Sequence, residues 1–136
     1  MQSPAVWRDF FWFRNGLVCL LLDFGERPMN SYQSCINLCI ECAKTCDYCA
    51  SACLKEEMLK RMVRCIELDL QCAALCRTAS LFMTLQSEHS GAICQLCADV
   101  CNACSAECSK HNMDHCKKCA EICHQCAEEC ANMVAA

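Results

Sequence analysis

The sequence predicts an all-α protein: an antiparallel, up-down-up-down four-helix bundle with a cysteine-lined core. Three observations carry this. The chain has 136 residues, enough for one ordinary domain with a single core. It holds only three glycines and two prolines, too few for the turns of an all-β fold. Its 20 cysteines recur at steps of three and four. On a strand that spacing would scatter over both faces, but on a helix it forms one stripe.

Residues 1–28 stand apart from this pattern. They are aromatic-rich (Trp7, Phe10, Phe11, Trp12, Phe13) and contain one cysteine, Cys19. They read as an N-terminal extension, with Met29 as an alternative start, ahead of a bundle over 29–136. Asp9 and Arg14 interrupt their apolar part, and no small-residue cleavage site or twin arginine follows, so no export signal is expected. The apolar stretch Leu17–Leu22 is far too short to span a membrane.

The first helix carries Cys35, Cys39, Cys42, Cys46, Cys49 and Cys53, a heptad seam with sulfur at both inward positions. Asn30 with Gln33 resembles a capping box at its start, and Leu54–Glu57 reads as the following turn. The second helix is sparser, with Cys65, Cys72 and Cys76. The same rhythm places Met62, Asp69, Ala79 and Met83 inward beside them. Ser87–Gly91 is read as the next separator. Cys94, Cys97, Cys101, Cys104 and Cys108 mark the third helix, which Asn112 is expected to end. Asp114 is expected to cap the fourth, marked by Cys116, Cys119, Cys123, Cys126 and Cys130. Short connections make neighbours antiparallel.

An apolar stripe is expected to seal the helices together: Ile36, Ile40, Ala43 and Ala50 on the first, Ile93, Leu96, Val100 and Ala103 on the third. Glu41, Lys44, Glu107, Lys117, Glu121 and Glu128 read as the solvated face. The second helix is apolar all round (Leu59, Val63, Ile66, Leu70, Leu81, Phe82, Leu85), which suggests contact with the N-terminal segment or another subunit. Net charge is −4 with both signs interspersed, so neither nucleic acid nor an acidic membrane is an expected partner.

Packing alone would use Leu, Ile and Ala interchangeably, whereas here the selection is for sulfur. Disulfide scaffolds are short and loop-rich, and this chain is neither. Thiol–disulfide oxidoreductases expose one acidic pair at a helix start, whereas these pairs are repeated and mid-helix, so no enzyme is expected. Soft thiolates select Cu(I), zinc or iron–sulfur clusters. Zinc prefers discrete tetrahedral sites, into which a continuous ladder does not divide naturally. Iron–sulfur motifs gather four cysteines in a loop, often before proline, and no Cys-Pro occurs. Cu(I) accepts two or three sulfurs and suits bridged chains. One Cu⁺ per bridging thiolate also neutralises the interior, where uncompensated charge would be costly. The 19 cysteines from Cys35 to Cys130 are therefore candidate ligands for multiple Cu(I) ions. The first and third turns share one end of the bundle. There His111 (inward if the rhythm continues past Cys108), Met113, His115, Met58 and Met62 are candidates for admitting metal. Imidazole and thioether hold Cu(I) more loosely than thiolate does. His111 and Met113 would pass ions to Cys108 and Cys116.

The runs SCINLCIECAKTCDYCASAC, CIELDLQCAALC, ICQLCADVCNACSAEC and HCKKCAEICHQCAEEC resemble the bacterial copper storage proteins over residues 29–133. The resemblance implies Cu(I) storage and detoxification by inward thiolates, a homotetramer and a histidine-bearing mouth. Without an export signal the chain resembles the cytosolic type.

Overall fold

A computed structural model describes residues 30–135, with side chains described for 32–134. Tyr32–Ala136 forms one compact unit. The expected extension over residues 1–28, with Cys19, lies outside the described residues.

Four helices follow in order: α1 (Asn30–Cys53), α2 (Leu59–Thr84), α3 (Ser90–Cys108) and α4 (Asp114–Ala135). The sulfur contacts give their directions. Cys35, Cys39, Cys42, Cys46 and Cys49 of α1 meet Cys130, Cys126, Cys123, Cys119 and Cys116 of α4 in that order, so these helices are antiparallel. Cys65, Cys72 and Cys76 of α2 meet Cys108, Cys101 and Cys97 of α3 in the same reversed sense. Across the diagonal, Cys72 and Cys76 meet Cys123 and Cys126, so α2 and α4 run parallel. This is an up-down-up-down bundle. The longest helix, α2, has 26 residues, about 39 Å at 1.5 Å per residue.

Helix stops depart from the sequence reading in instructive ways. α2 ends in a Schellman motif: Ser87 N–H donates to the Phe82 carbonyl and Gln86 N–H to that of Met83, both at 3.0 Å. The left-handed position falls on Gln86 (φ 54°) rather than on a glycine, so no glycine marks the stop. The separator is residues 85–89, and Gly91 lies inside α3. α3 ends at Cys108, four residues before Asn112, because Lys110 and His111 N–H groups bond only three residues back and tighten the chain into a turn. Gln33, expected in a capping box, donates instead to Asn37 Oδ1 at 3.0 Å. Asp114 is the first residue of α4 rather than the residue before it.

The seams are narrower than the expected apolar stripe. Ile36, Ala43 and Ala50 are buried, but Ile40 (45 % exposed) and Leu96 (48 %) face outward, as does Ala103. The buried seam residue follows alternate cysteines: Ile36, Ala43 and Ala50 on α1, Ala73 on α2, Ala98 on α3 and Ala127 on α4. Alanine there lets the helices approach until sulfurs of facing helices touch. Two polar ties hold the register. Ser90 Oγ donates to the Phe82 carbonyl at 3.1 Å, and Ser105 Oγ to that of Ala120 at 2.8 Å. Glu107, read as a solvated residue, is only 14 % exposed in its side chain, because Lys110 and His111 fold over it.

Candidate metal centre

All 19 cysteines from Cys35 to Cys130 are 0 % exposed, and each is a free thiol. Their placement follows from the 3/4 spacing: each helix turns one sulfur stripe inward, and the alanine seams bring the stripes together. Sulfur pairs lie between 3.2 Å (Cys72 with Cys101) and 4.0 Å (Cys53 with Cys116). Contacts run along, across and diagonally in two sets that meet at Asp69, the one at the histidine end holding Cys49, Cys53, Cys65, Cys104, Cys108 and Cys116; the wider group of Cys46, Cys104, Cys119 and Cys123 joins them into one column. Groups of four with all sulfurs within 4.8 Å of one another recur along it: Cys39, Cys76, Cys97, Cys126; then Cys42, Cys46, Cys72, Cys123; then Cys46, Cys104, Cys119, Cys123. Met62, Asp69, Ala79 and Met83, the inward residues that lack a thiol on α2, are all at most 2 % exposed.

The protons of these thiols are shared. Cys126 is held below the ordinary thiol range because it accepts S–H bonds from Cys101, Cys130 and Cys39. Cys123 is held above it by its bonds with Cys104, Cys119, Cys42 and Cys46. Near the mouth, burial first and then the charge of Cys65 raise Cys53, and push Cys116 up to about 12. Metal must therefore displace protons as it binds.

Asp69 fills the place where α2 lacks a sulfur. Its Oδ1 accepts S–H bonds from Cys104 and Cys119 at 3.2 Å and from Cys108 at 3.5 Å. Cys65 approaches Oδ2 at 3.8 Å. Burial first, then repulsion from any thiolate formed at Cys119, Cys104 or Cys65, pushes its carboxyl up to about 11. A carboxyl so raised is a neutral acid at neutral pH.

At the mouth His115 holds the inward place expected of His111. His115 reaches the sulfurs: its Nδ1 lies 3.5 Å from Cys49 and from Cys116, and 3.9 Å from Cys53. Its Nε2 donates to the Glu56 carboxylate at 2.9 Å. His111, expected on the inward stripe, lies beyond the end of α3 and pairs with Glu107 at 3.3 Å. It lines a cavity of about 560 Å³ with Met58, Met62, Met113, Arg61 and Lys110. Within that set Met62 is buried, Met113 half-buried and Met58 58 % exposed. Glu56 was legible only as a turn residue. Its single signal is a carboxylate in the connection that shares an end with His115.

The sequence profile of the copper storage proteins matches residues 28–135. The chain belongs to the copper storage protein family. Among copper storage proteins of solved structure, the metal-free form of copper storage protein 3 from Bacillus subtilis is 44 % identical. It superposes with a TM-score of 0.72, covering 76 % of this chain and 98 % of that one. A cytosolic copper storage protein from Streptomyces lividans carrying five coppers is 33 % identical, with a TM-score of 0.77, over 79 % of this chain and 95 % of that one. An uncharacterized cysteine-rich protein of Bacillus subtilis, YhjQ, is 45 % identical over 83 residues, which are 61 % of this chain and 77 % of the relative. A copper storage protein needs many soft donors that exclude water, and the sulfur column supplies them.

Proposed function

We propose that this chain binds and stores multiple Cu(I) ions through the thiolates of its interior, for copper storage and detoxification. One observation carries the reading: 19 free thiols, none exposed, gathered on the inward faces of four helices. Sulfurs of neighbouring helices lie side by side along the column, so thiolates can bridge two ions. One Cu⁺ per bridging thiolate leaves the column neutral, and about one proton leaves for each ion bound.

Ions enter at the end that holds His115. His115 is the donor in contact with the thiols there, handing an ion to Cys49, Cys53 and Cys116. His111, Met58, Met62 and Met113 surround the adjoining cavity and gather ions there. The role is binding rather than catalysis, and free thiols suit the reducing cytoplasm. The outward Leu59, Val63, Leu70 and Leu81 of α2 suit burial against further copies of the chain, in a homotetramer that sedimentation would read directly.

The test is anaerobic titration of the reduced protein with Cu(I) against a competing chelator. Loading near 19 ions per chain, one per column thiol, is expected. A plateau at four or fewer would replace the column with a few discrete sites and overturn the storage reading.

A further inference from the structure

The ladder was expected not to divide into discrete tetrahedral sites, yet four donors at its mouth stand at the corners of one, with Cys65 next in line 3.8 Å from Cys53. Cys49, Cys53, Cys116 and His115 Nδ1 form a four-donor group, and all six of its edges are defined. The sulfur–sulfur edges are 3.8, 3.9 and 4.0 Å. The sulfur–nitrogen edges are 3.5, 3.5 and 3.9 Å. A tetrahedral zinc ion, with bonds of about 2.3 Å to sulfur and about 2.05 Å to nitrogen, requires edges of about 3.8 and 3.6 Å. The donors thus stand within about 0.3 Å of the tetrahedron.

The hydrogen bond on the far side of the imidazole agrees. Nε2 donates its hydrogen to the Glu56 carboxylate, so in the neutral imidazole Nδ1 carries the lone pair that faces the sulfurs. This carboxylate–histidine arrangement is the one that orients imidazole on zinc. Charge separates the site from the rest of the column. A divalent ion on three thiolates and a neutral imidazole leaves −1. On four thiolates of the deep column it would leave −2 among residues of 0 % exposure, at a much higher desolvation cost.

We propose that Cys49, Cys53, Cys116 and His115 form a discrete site for one tetrahedral divalent ion of the zinc class, with Glu56 as the positioning residue. The site does not rest on the copper reading, although it occupies the same mouth.

The experiment uses Co(II) as the visible substitute for Zn(II). The reduced, metal-free protein is titrated anaerobically and followed by absorption. The expected result is one Co(II) per chain, with sulfur-to-cobalt charge transfer and intense tetrahedral d–d bands. One equivalent of Zn(II), the tighter binder in this series, should bleach them. Glu56→Gln should weaken binding by about 10- to 100-fold with the bands retained. His115→Ala should shift the d–d bands as its nitrogen leaves the coordination sphere. Cys53→Ser, with folding checked by circular dichroism, should remove part of the charge-transfer intensity. Absence of tetrahedral bands overturns the proposal. So do bands that grow over several equivalents and ignore both His115→Ala and Cys53→Ser, since those would arise from the deep four-sulfur groups. A parallel Cu(I) titration separates the two readings. Normal copper loading without a cobalt site refutes only the zinc-class site, whereas a cobalt site with poor copper loading refutes only storage.

Discussion

The two ends of the sulfur column are built from the same heptad pattern and finished differently. At one end Met83, fully buried, and Ala79 close the bundle below Cys35, Cys94 and Cys130. Tyr32, Ile93 and Met133 pack against the buried core. At the other, His115 and Glu56 stand beside an open cavity, and Asp69 interrupts the sulfurs one turn further in. Both ends lead into sulfur, so on the proposed route the residues at the ends decide where ions pass. Apolar side chains bar a charged ion through its desolvation cost, whereas imidazole and carboxylate offer successive ligands.

The strongest way to break this contrast is to unpack the closed end. Met83→Ala should cost about 2–5 kcal/mol of stability in the metal-free protein, read by urea denaturation, while leaving the copper-loading rate unchanged. A loss below about 1 kcal/mol would mean that the closed end is not a packed plug.

Asp69 tests the boundary between the two regions. Its carboxyl rises from 3.8 to about 11 on folding, so between those values the folded chain binds one proton more than the unfolded chain. Stability of the parent therefore falls as pH rises through that window, by up to about 1.4 kcal/mol per pH unit from this group. Asp69→Asn removes this dependence. Its stability relative to the parent should grow from pH 5 to pH 7, and a constant difference would show that Asp69 is ionised in the fold.

A smaller effect is expected at the open end. Replacing His111 and His115 by Phe should slow copper loading by on the order of tenfold, the scale of a lost imidazole contact, and lower capacity by no more than about one ion. His115→Phe alone should account for most of the slowing, because only His115 touches thiols. Equal contributions would restore His111 to the direct route. Smallest of all should be the effect of metal itself on the backbone. Stripping the copper should leave the helical far-UV signal intact, since the alanine seams close the bundle without it; a collapse to coil would make metal the folding agent.

The interior was legible residue by residue. Even the sparse second helix was placed by its rhythm alone: Met62, Asp69, Ala79 and Met83 all lie inward. The seams were less so, because Ile40 and Leu96 look like core residues by composition, whereas close helix approach favours the small Ala43, Ala73, Ala98 and Ala127.

Periodicity determined the helices, the inward thiols and the preference for a soft ion, because a heptad position sets the direction of a side chain for as long as the helix continues. It lost that power at Cys108, where the helix stops and His111 leaves the stripe. The connections obey no period, so only assembly could decide which of their residues face the sulfurs. Glu56 and His115 are 59 residues apart in the chain and meet at 2.9 Å because the first and third connections share one end of the bundle. The sequence specified a column of sulfur and the end that gathers its histidines; the tertiary structure decided which residue of that end meets the sulfurs, since that depends on where separate connections converge rather than on any repeat within a helix.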